Sequence, residues 1–280
     1  MSRLPTLFIS HGSPMHAIDK GTVAQAWEAL AKSLPRPKAI LMASAHWETE
    51  LPSMTGAEHP ATLHDFGGFP QELYRIQYPA PGLPALAERA RALLKAQGQS
   101  SAIDGTRGLD HGAWSPILHM YPEADIPVVQ VALQTTMGAA HHLTMGRTLA
   151  PLADEGVLVI GSGNMTHNLD EAFSAMRNPA AAKPLPYVAE FSAWVKSRIE
   201  AHDLDALVDY RRQAPHAARA HPSEEHFLPL HVAIGAAVGQ STGRTMTAER
   251  VYSDIELSSL SMDAWAFHSS AAGRVMRALH

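Results

Sequence analysis

The sequence predicts a single layered α/β domain, with a central mostly parallel or mixed sheet flanked by helices and an active site at the C-terminal strand ends. Short apolar runs bounded by turn residues alternate with longer stretches of helical period, the pattern of buried strands joined by helices. No internal repeat, low-complexity tract or linker divides the 280 residues, so the chain 1–280 reads as one domain. Histidines recur where the apolar runs stop, and in layered α/β folds ligands bind beyond the carboxyl ends of the strands.

In chain order, residues 4–9 and 39–45 read as the first two strands, and the Val-rich runs 126–133 and 157–160 as two more. Between them, residues 22–34 form a helix that places Val23, Trp27, Leu30 and Leu34 on one face. A second helix, 84–97, opens on Pro84 and stops before Gly98. A third spans 139–155 and stops at Gly156, and a fourth, amphipathic, spans 187–202. A last helix runs from Ser223, its expected cap, to about residue 238, with a distortion at Pro229. Segments 63–70 and 109–114 read as ordered loops, and 177–186 is loop-like but too short to separate domains.

Composition narrows the chemistry. With 46% hydrophobic and 18% charged residues the chain is an ordinary globular protein. The absence of cysteine excludes a disulfide framework, a Cys-ligated zinc, an iron–sulfur cluster and a thiolate nucleophile. Any metal must therefore be held by nitrogen and oxygen, and the chain has 17 histidines. A net charge of -5 with no Lys/Arg cluster argues against a nucleic-acid partner. No apolar run approaches the ~20 residues of a membrane-spanning helix, and the N-terminus is too interrupted for a signal peptide. A cytoplasmic protein is expected.

The strand ends carry the candidates. The first strand runs into Ser10-His11-Gly12-Ser13-Pro14 and the second into Ser44-Ala45-His46-Trp47. The strand at 157–160 runs into Gly161-Ser162-Gly163-Asn164 and then His167-Asn168. A further dense segment, His221-Pro222-Ser223-Glu224-Glu225-His226, sits at the start of the last helix. His16, His59, His119, His141, His142, His202, His216, His268 and His280 read as ordinary hydrogen-bonding or solvated residues. His231 stands about 140° around a helix from His226 and is not expected at the same site. There is no zincin His-Glu-x-x-His, no nucleophile elbow and no Walker A lysine, so Ser13 and Ser162 lack a hydrolase setting. Gly161-Ser162-Gly163 has Thr166 where a dinucleotide fingerprint needs its third glycine.

Taken together, His11-Gly12-Ser13-Pro14-Met15, Ser44-Ala45-His46-Trp47, His64-Asp65-Phe66-Gly67-Gly68-Phe69-Pro70, Tyr78-Pro79-Ala80-Pro81-Gly82, Asp110-His111-Gly112, Gly161-Ser162-Gly163-Asn164, His167-Asn168-Leu169 and Glu225-His226-Phe227-Leu228-Pro229-Leu230 form an ordered set. This set resembles the DODA-type extradiol aromatic ring-opening dioxygenases, distant relatives of the β-subunit of protocatechuate 4,5-dioxygenase. The resemblance implies a mononuclear metal on His11, His46 and His226, with Glu225 next in line as the third ligand and then His221. It implies non-haem Fe(II) as the active metal, with zinc able to fill the same site, and His167 nearby as ligand or general acid/base. His111 and His64 are then candidates for positioning substrate oxygens or dioxygen, and Asp110 or Asp65 for orienting an imidazole. The implied partners are a catechol-type substrate and O2, and a homo-oligomer is left open. Two rival classes remain: a zinc-dependent hydrolase on the same histidines, and a non-catalytic metal-binding protein.

Overall fold

The computed structural model describes residues 3–240 and 244–271; His280 lies outside them. Among the described residues ten strands are formed: β1 (Thr6–Ser10), β2 (Ala39–Glu48), β3 (Ser53–Thr55), β4 (Ala102–Asp104), β5 (Val128–Leu133), β6 (Val157–Gly163), β7 (Arg244–Tyr252), β8 (Ile255–Glu256), β9 (Leu260–Ser261) and β10 (Ala264–Ala271). Eight of them make one sheet in the order β4-β3-β5-β2-β6-β1-β10-β7, and β8 with β9 makes a small ribbon. The heart of the sheet, β5-β2-β6-β1, is parallel, while β10 and β7 continue it antiparallel. The sheet is therefore mixed.

The helices are α1 (Thr22–Ser33), α2 (Pro84–Ala96), α3 (His111–Met120), α4 (Gly138–Leu149), α5 (Pro151–Asp154), α6 (Leu169–Arg177), α7 (Pro186–Glu200), α8 (Leu204–Val208), α9 (Tyr210–Gln213), α10 (Ala217–Ala220) and α11 (Leu228–Val238). Alternation along the strands divides the core into two faces. Leu7, Ile9, Ile40, Met42, Leu158 and Ile160 pack on one side with Val23, Trp27 and Leu30 of α1 and Trp114 and Ile117 of α3. Phe8, Leu41, Ala43, Val129, Val131 and Val159 pack on the other with α2, α4, α7 and α11. Strands buried on both faces lose the polar alternation of a surface sheet, which is why they stand out as continuous apolar runs.

Several boundaries differ from expectation. The helix expected at 139–155 is two, because Pro151 has no N–H to continue the ladder; it starts α5 instead. Ser223 caps nothing: its hydroxyl bonds Glu225 Oε1 at 2.9 Å, and α11 begins only at Leu228. Pro229 then falls in the first turn, where a missing N–H has no consequence, so the expected distortion is absent. Segment 109–114 is not a loop; Asp110 caps α3 by accepting from Ala113 N at 3.1 Å. No helix among the described residues is long and apolar enough to cross a membrane.

Candidate metal centre

The parallel register brings the ends of β1, β2 and β6 to one edge. Ile9 and Ser10 pair with Ser162 and Gly163, and Ser44 pairs with Ser162 from the other side. His11 follows β1 directly, held by its N–H on Gly163 O at 2.9 Å, and His46 lies near the end of β2. The chain then returns across the top of β6. Asn164 N donates to His226 O at 2.8 Å, which places His226 above the strand before α11 starts. Gly161 and Gly163 make this approach physically possible. A Cβ on Gly163 would stand 2.1 Å from His226 O, and one on Gly161 would stand 2.1 Å from Pro229 O. The glycine pair thus serves backbone approach within the chain, not a nucleotide.

The rings converge. His11 and His46 lie 4.9 Å apart by ring centroid, and His226 lies 5.3 Å from His11 and 5.0 Å from His46. His111 joins them, 4.0 Å from His46 and 5.4 Å from His11, and His167 stacks on His226 at 3.4 Å with a 10° interplanar angle. Donor atoms cluster most tightly in two separate sets, His11 with His46 and His111, and His167 with Glu225 and His226. His111 was expected as an assistant, yet its nitrogen stands as close to His11 and His46 as a ligand's would.

Hydrogen bonding fixes which nitrogen of each ring is free. Ser162 has one hydroxyl proton, and it donates that proton to Gly112 O at 2.5 Å. The same oxygen lies 3.0 Å from His11 Nδ1, so it accepts there and His11 carries its proton on Nδ1. His226 Nδ1 donates to Glu225 Oε1 at 3.0 Å, leaving Nε2 buried and without a hydrogen-bond partner. His46 Nδ1 faces Asp65 Oδ2 at 3.6 Å, and His111 Nδ1 donates to the same oxygen at 3.0 Å. Asp65 Oδ1 accepts the His111 backbone N–H at 2.8 Å. His11, with its proton on Nδ1, turns its Nε2 lone pair toward His46 Nε2 at 2.9 Å. An orphaned Nε2, a facing Nε2 pair and imidazoles oriented from behind fit a first-row divalent cation.

Burial and mutual repulsion keep these rings neutral. His11 and His226 are held well below the usual histidine value by desolvation and then by neighbouring imidazoles. Desolvation brings His46 down to about 4 and His167 down to about 3. Burial alone would raise Asp65, but the hydrogen bonds and charge of His111 outweigh it and hold the carboxyl at about 2. Asp65 is thus the carboxylate that orients imidazoles. Asp110 is fully buried and hydrogen-bonds no imidazole among the described residues; it accepts from Ser44 Oγ and Gln130 Nε2, each at 2.7 Å.

The other candidates lie elsewhere. His64 donates Nε2 to Ile76 O at 3.0 Å and packs among Phe66, Tyr74 and Trp114. His221 bonds Met165 O at 2.9 Å and is buried against Phe227, away from the cluster. Glu225 approaches as the partner of His226 Nδ1. His231 is separate as expected, though because its Nε2 bonds Leu207 O at 3.0 Å, not because it shares a helix with His226. Sequence reasoning missed Arg107, which bonds His46 O at 3.1 Å and lies 5.2 Å over the Trp47 ring.

Comparison with known proteins gives the family. Residues 5–260 match the family described as the catalytic LigB subunit of aromatic ring-opening dioxygenase. The chain is 42% identical over 270 residues to a 4,5-DOPA dioxygenase extradiol of Beta vulgaris, covering 95% of this chain and 97% of that one. It is 40% identical over 267 residues to the protein of the same name from Escherichia coli (strain K12), covering 93% of each. The crystal structure of the uncharacterized protein JW3007 from Escherichia coli K12 superposes with a TM-score of 0.77 at 35% identity, covering 94% of this chain and 99% of that one.

Proposed function

The chain belongs to the aromatic ring-opening dioxygenase family of the LigB catalytic subunit, and from that membership we propose an extradiol reaction at the histidine cluster. In it, both atoms of O2 enter a catechol-type substrate and the ring opens beside the diol. The observation that carries this reading is the set of Nε2 atoms of His11, His46 and His226, with Ser162 and Glu225 accepting from Nδ1 of His11 and His226 at 3.0 Å and Asp65 lying 3.6 Å from Nδ1 of His46. These three would hold a mononuclear Fe(II). The iron supplies the redox centre that closed-shell catechols and triplet dioxygen both lack, whereas zinc on the same nitrogens has no redox chemistry.

The chain's own residues handle orientation and protons. His167 has no hydrogen bond at either ring nitrogen among the described residues, and its stacking on His226 fixes its plane beside the cluster. It takes a proton from a substrate hydroxyl and returns one as the ring opens. His111, locked by Asp65 at both its backbone N–H and its Nδ1, presents Nε2 toward the same space and positions a substrate oxygen. Phe66 stands edge-on to His111 at 5.6 Å and gives that side an aromatic wall. His64 acts behind it, supporting the wall. The whole chain works as one domain in the cytoplasm, and DOPA is the first substrate to test, after the names of the relatives.

The test is an oxygen-electrode assay of protein loaded anaerobically with Fe(II), against DOPA and a panel of other catechols and aminophenols. Stoichiometric oxygen uptake with a yellow ring-opened product is expected, and zinc-loaded protein stays silent. A panel without uptake overturns the reading and returns the site to hydrolysis or to metal binding alone.

A further inference from the structure

Pro116 stands inside α3, where a proline costs a helix its hydrogen bond to the carbonyl four residues earlier. That carbonyl is Gly112 O. It is the atom that receives the Ser162 hydroxyl at 2.5 Å from β6, and Ser162 Oγ in turn stands 3.0 Å from His11 Nδ1. Gly112 itself has no room for a side chain: a Cβ there would meet Ser44 Oγ at 2.6 Å and His46 Cδ2 at 2.9 Å. The first turn of α3 is therefore pressed against the histidines, and its one carbonyl released by the proline points at the strand that orients them.

We propose that Pro116 is a positioning residue for the metal centre: by withholding an N–H from Gly112 O, it commits the Ser162 proton to that carbonyl and so fixes His11 with its proton on Nδ1 and its lone pair on Nε2. The logic is one of proton supply. Ser162 has a single proton and two acceptors within reach, Gly112 O and His11 Nδ1. An ordinary residue at 116 supplies an N–H that competes for Gly112 O and weakens the hydroxyl's hold on it. The hydroxyl is then released to donate to His11 Nδ1, and the imidazole proton moves to Nε2, where it blocks the metal. A helix-interior proline is otherwise unfavourable, so α3 gives up local stability at Pro116 for the tautomer of a ring on β1.

The inference rests on His11 being a ligand, and the experiment separates the two claims. Nitrogen-15 imidazole spectra of the metal-free protein report the His11 tautomer without any metal, and zinc titration against a chelator reports affinity. In the native protein His11 shows Nδ1–H. In Pro116→Ala an Nε2–H population appears and zinc affinity falls about tenfold or more, while the thermal midpoint holds or rises. Ser162→Ala lowers zinc affinity comparably, Ser162→Thr restores it, and adding Pro116→Ala to Ser162→Ala costs nothing further. A Pro116→Ala protein with native tautomer and native affinity overturns the proposal, as does additivity in the double variant. If Pro116→Ala does not fold, unchanged zinc affinity in Ser162→Ala overturns it alone. A native Nδ1–H tautomer in a protein that binds no zinc would instead refute His11 as a ligand.

Discussion

At the scale of single residues, the site depends on what stands behind each imidazole. His11→Ala or His46→Ala should lose Fe(II) and turnover together, measured by metal analysis and oxygen uptake. His167→Ala should keep its metal and lose roughly 10²–10⁴ in turnover; unchanged turnover would remove the acid/base role. Glu225→Gln takes the charge from the acceptor of His226 Nδ1 and should weaken metal binding by roughly 10–100-fold in a chelator competition. The histidines were legible in the sequence because strand ends are where α/β folds place ligands. Ser162 was not, because it accepts a hydrogen bond from His11 while donating one to Gly112 O, and neither partner is near it in sequence. His111 was legible only as an assistant, since nothing local shows that α3 delivers it against His46.

At the scale of elements, strand β6 is a surface on which another segment rests. Gly163→Ala should destabilise the protein by roughly 1–3 kcal/mol in chemical denaturation, because the new Cβ meets backbone and not a yielding side chain. It should also lower metal affinity by lifting His226, and native affinity in a stable Gly163→Ala protein would contradict the account. The four central strands were readable as apolar runs. Strands β7 and β10 were not: the Arg-Thr-Met-Thr-Ala-Glu-Arg-Val-Tyr run of β7 mixes charge with small residues and joins the sheet only through β10, whose other partner β1 is far away in sequence. Helix α3 was hidden by Gly112 and Pro116, two poor helix formers; Gly112 is required by its close approach to Ser44 and His46.

For the molecule as a whole, other buried histidines set an acid limit. Burial holds His142 at about 3 and His221 at about 3, both outside the metal cluster, while an unfolded chain titrates them near ~6.5. Above that value both states are neutral and pH has no effect through these groups. As pH falls, the unfolded chain takes up protons that the folded one refuses, so stability drains away between ~6.5 and ~3. At pH 5 the two together cost about 4 kcal/mol, a large share of an ordinary domain's stability. Circular dichroism should show the denaturation midpoint dropping steeply from pH 7 to pH 5. A flat profile across that range would show that these rings are not buried neutral.

Strand β1 lies between β6 and β10, with Thr6 opposite Phe267 and Leu7 opposite Ile160. Strand β1 is therefore made long before β10, and pairing both its edges requires closing the long segment between Ser10 and Ala264 into a loop. His11 sits at the tip of that early strand and His226 arrives late. During synthesis the chain passes through a long interval in which its histidines are made but have no common centre. Metal capture is then a late event, and a refolding experiment should show the spectroscopic signature of Co(II) binding lagging behind the recovery of helix.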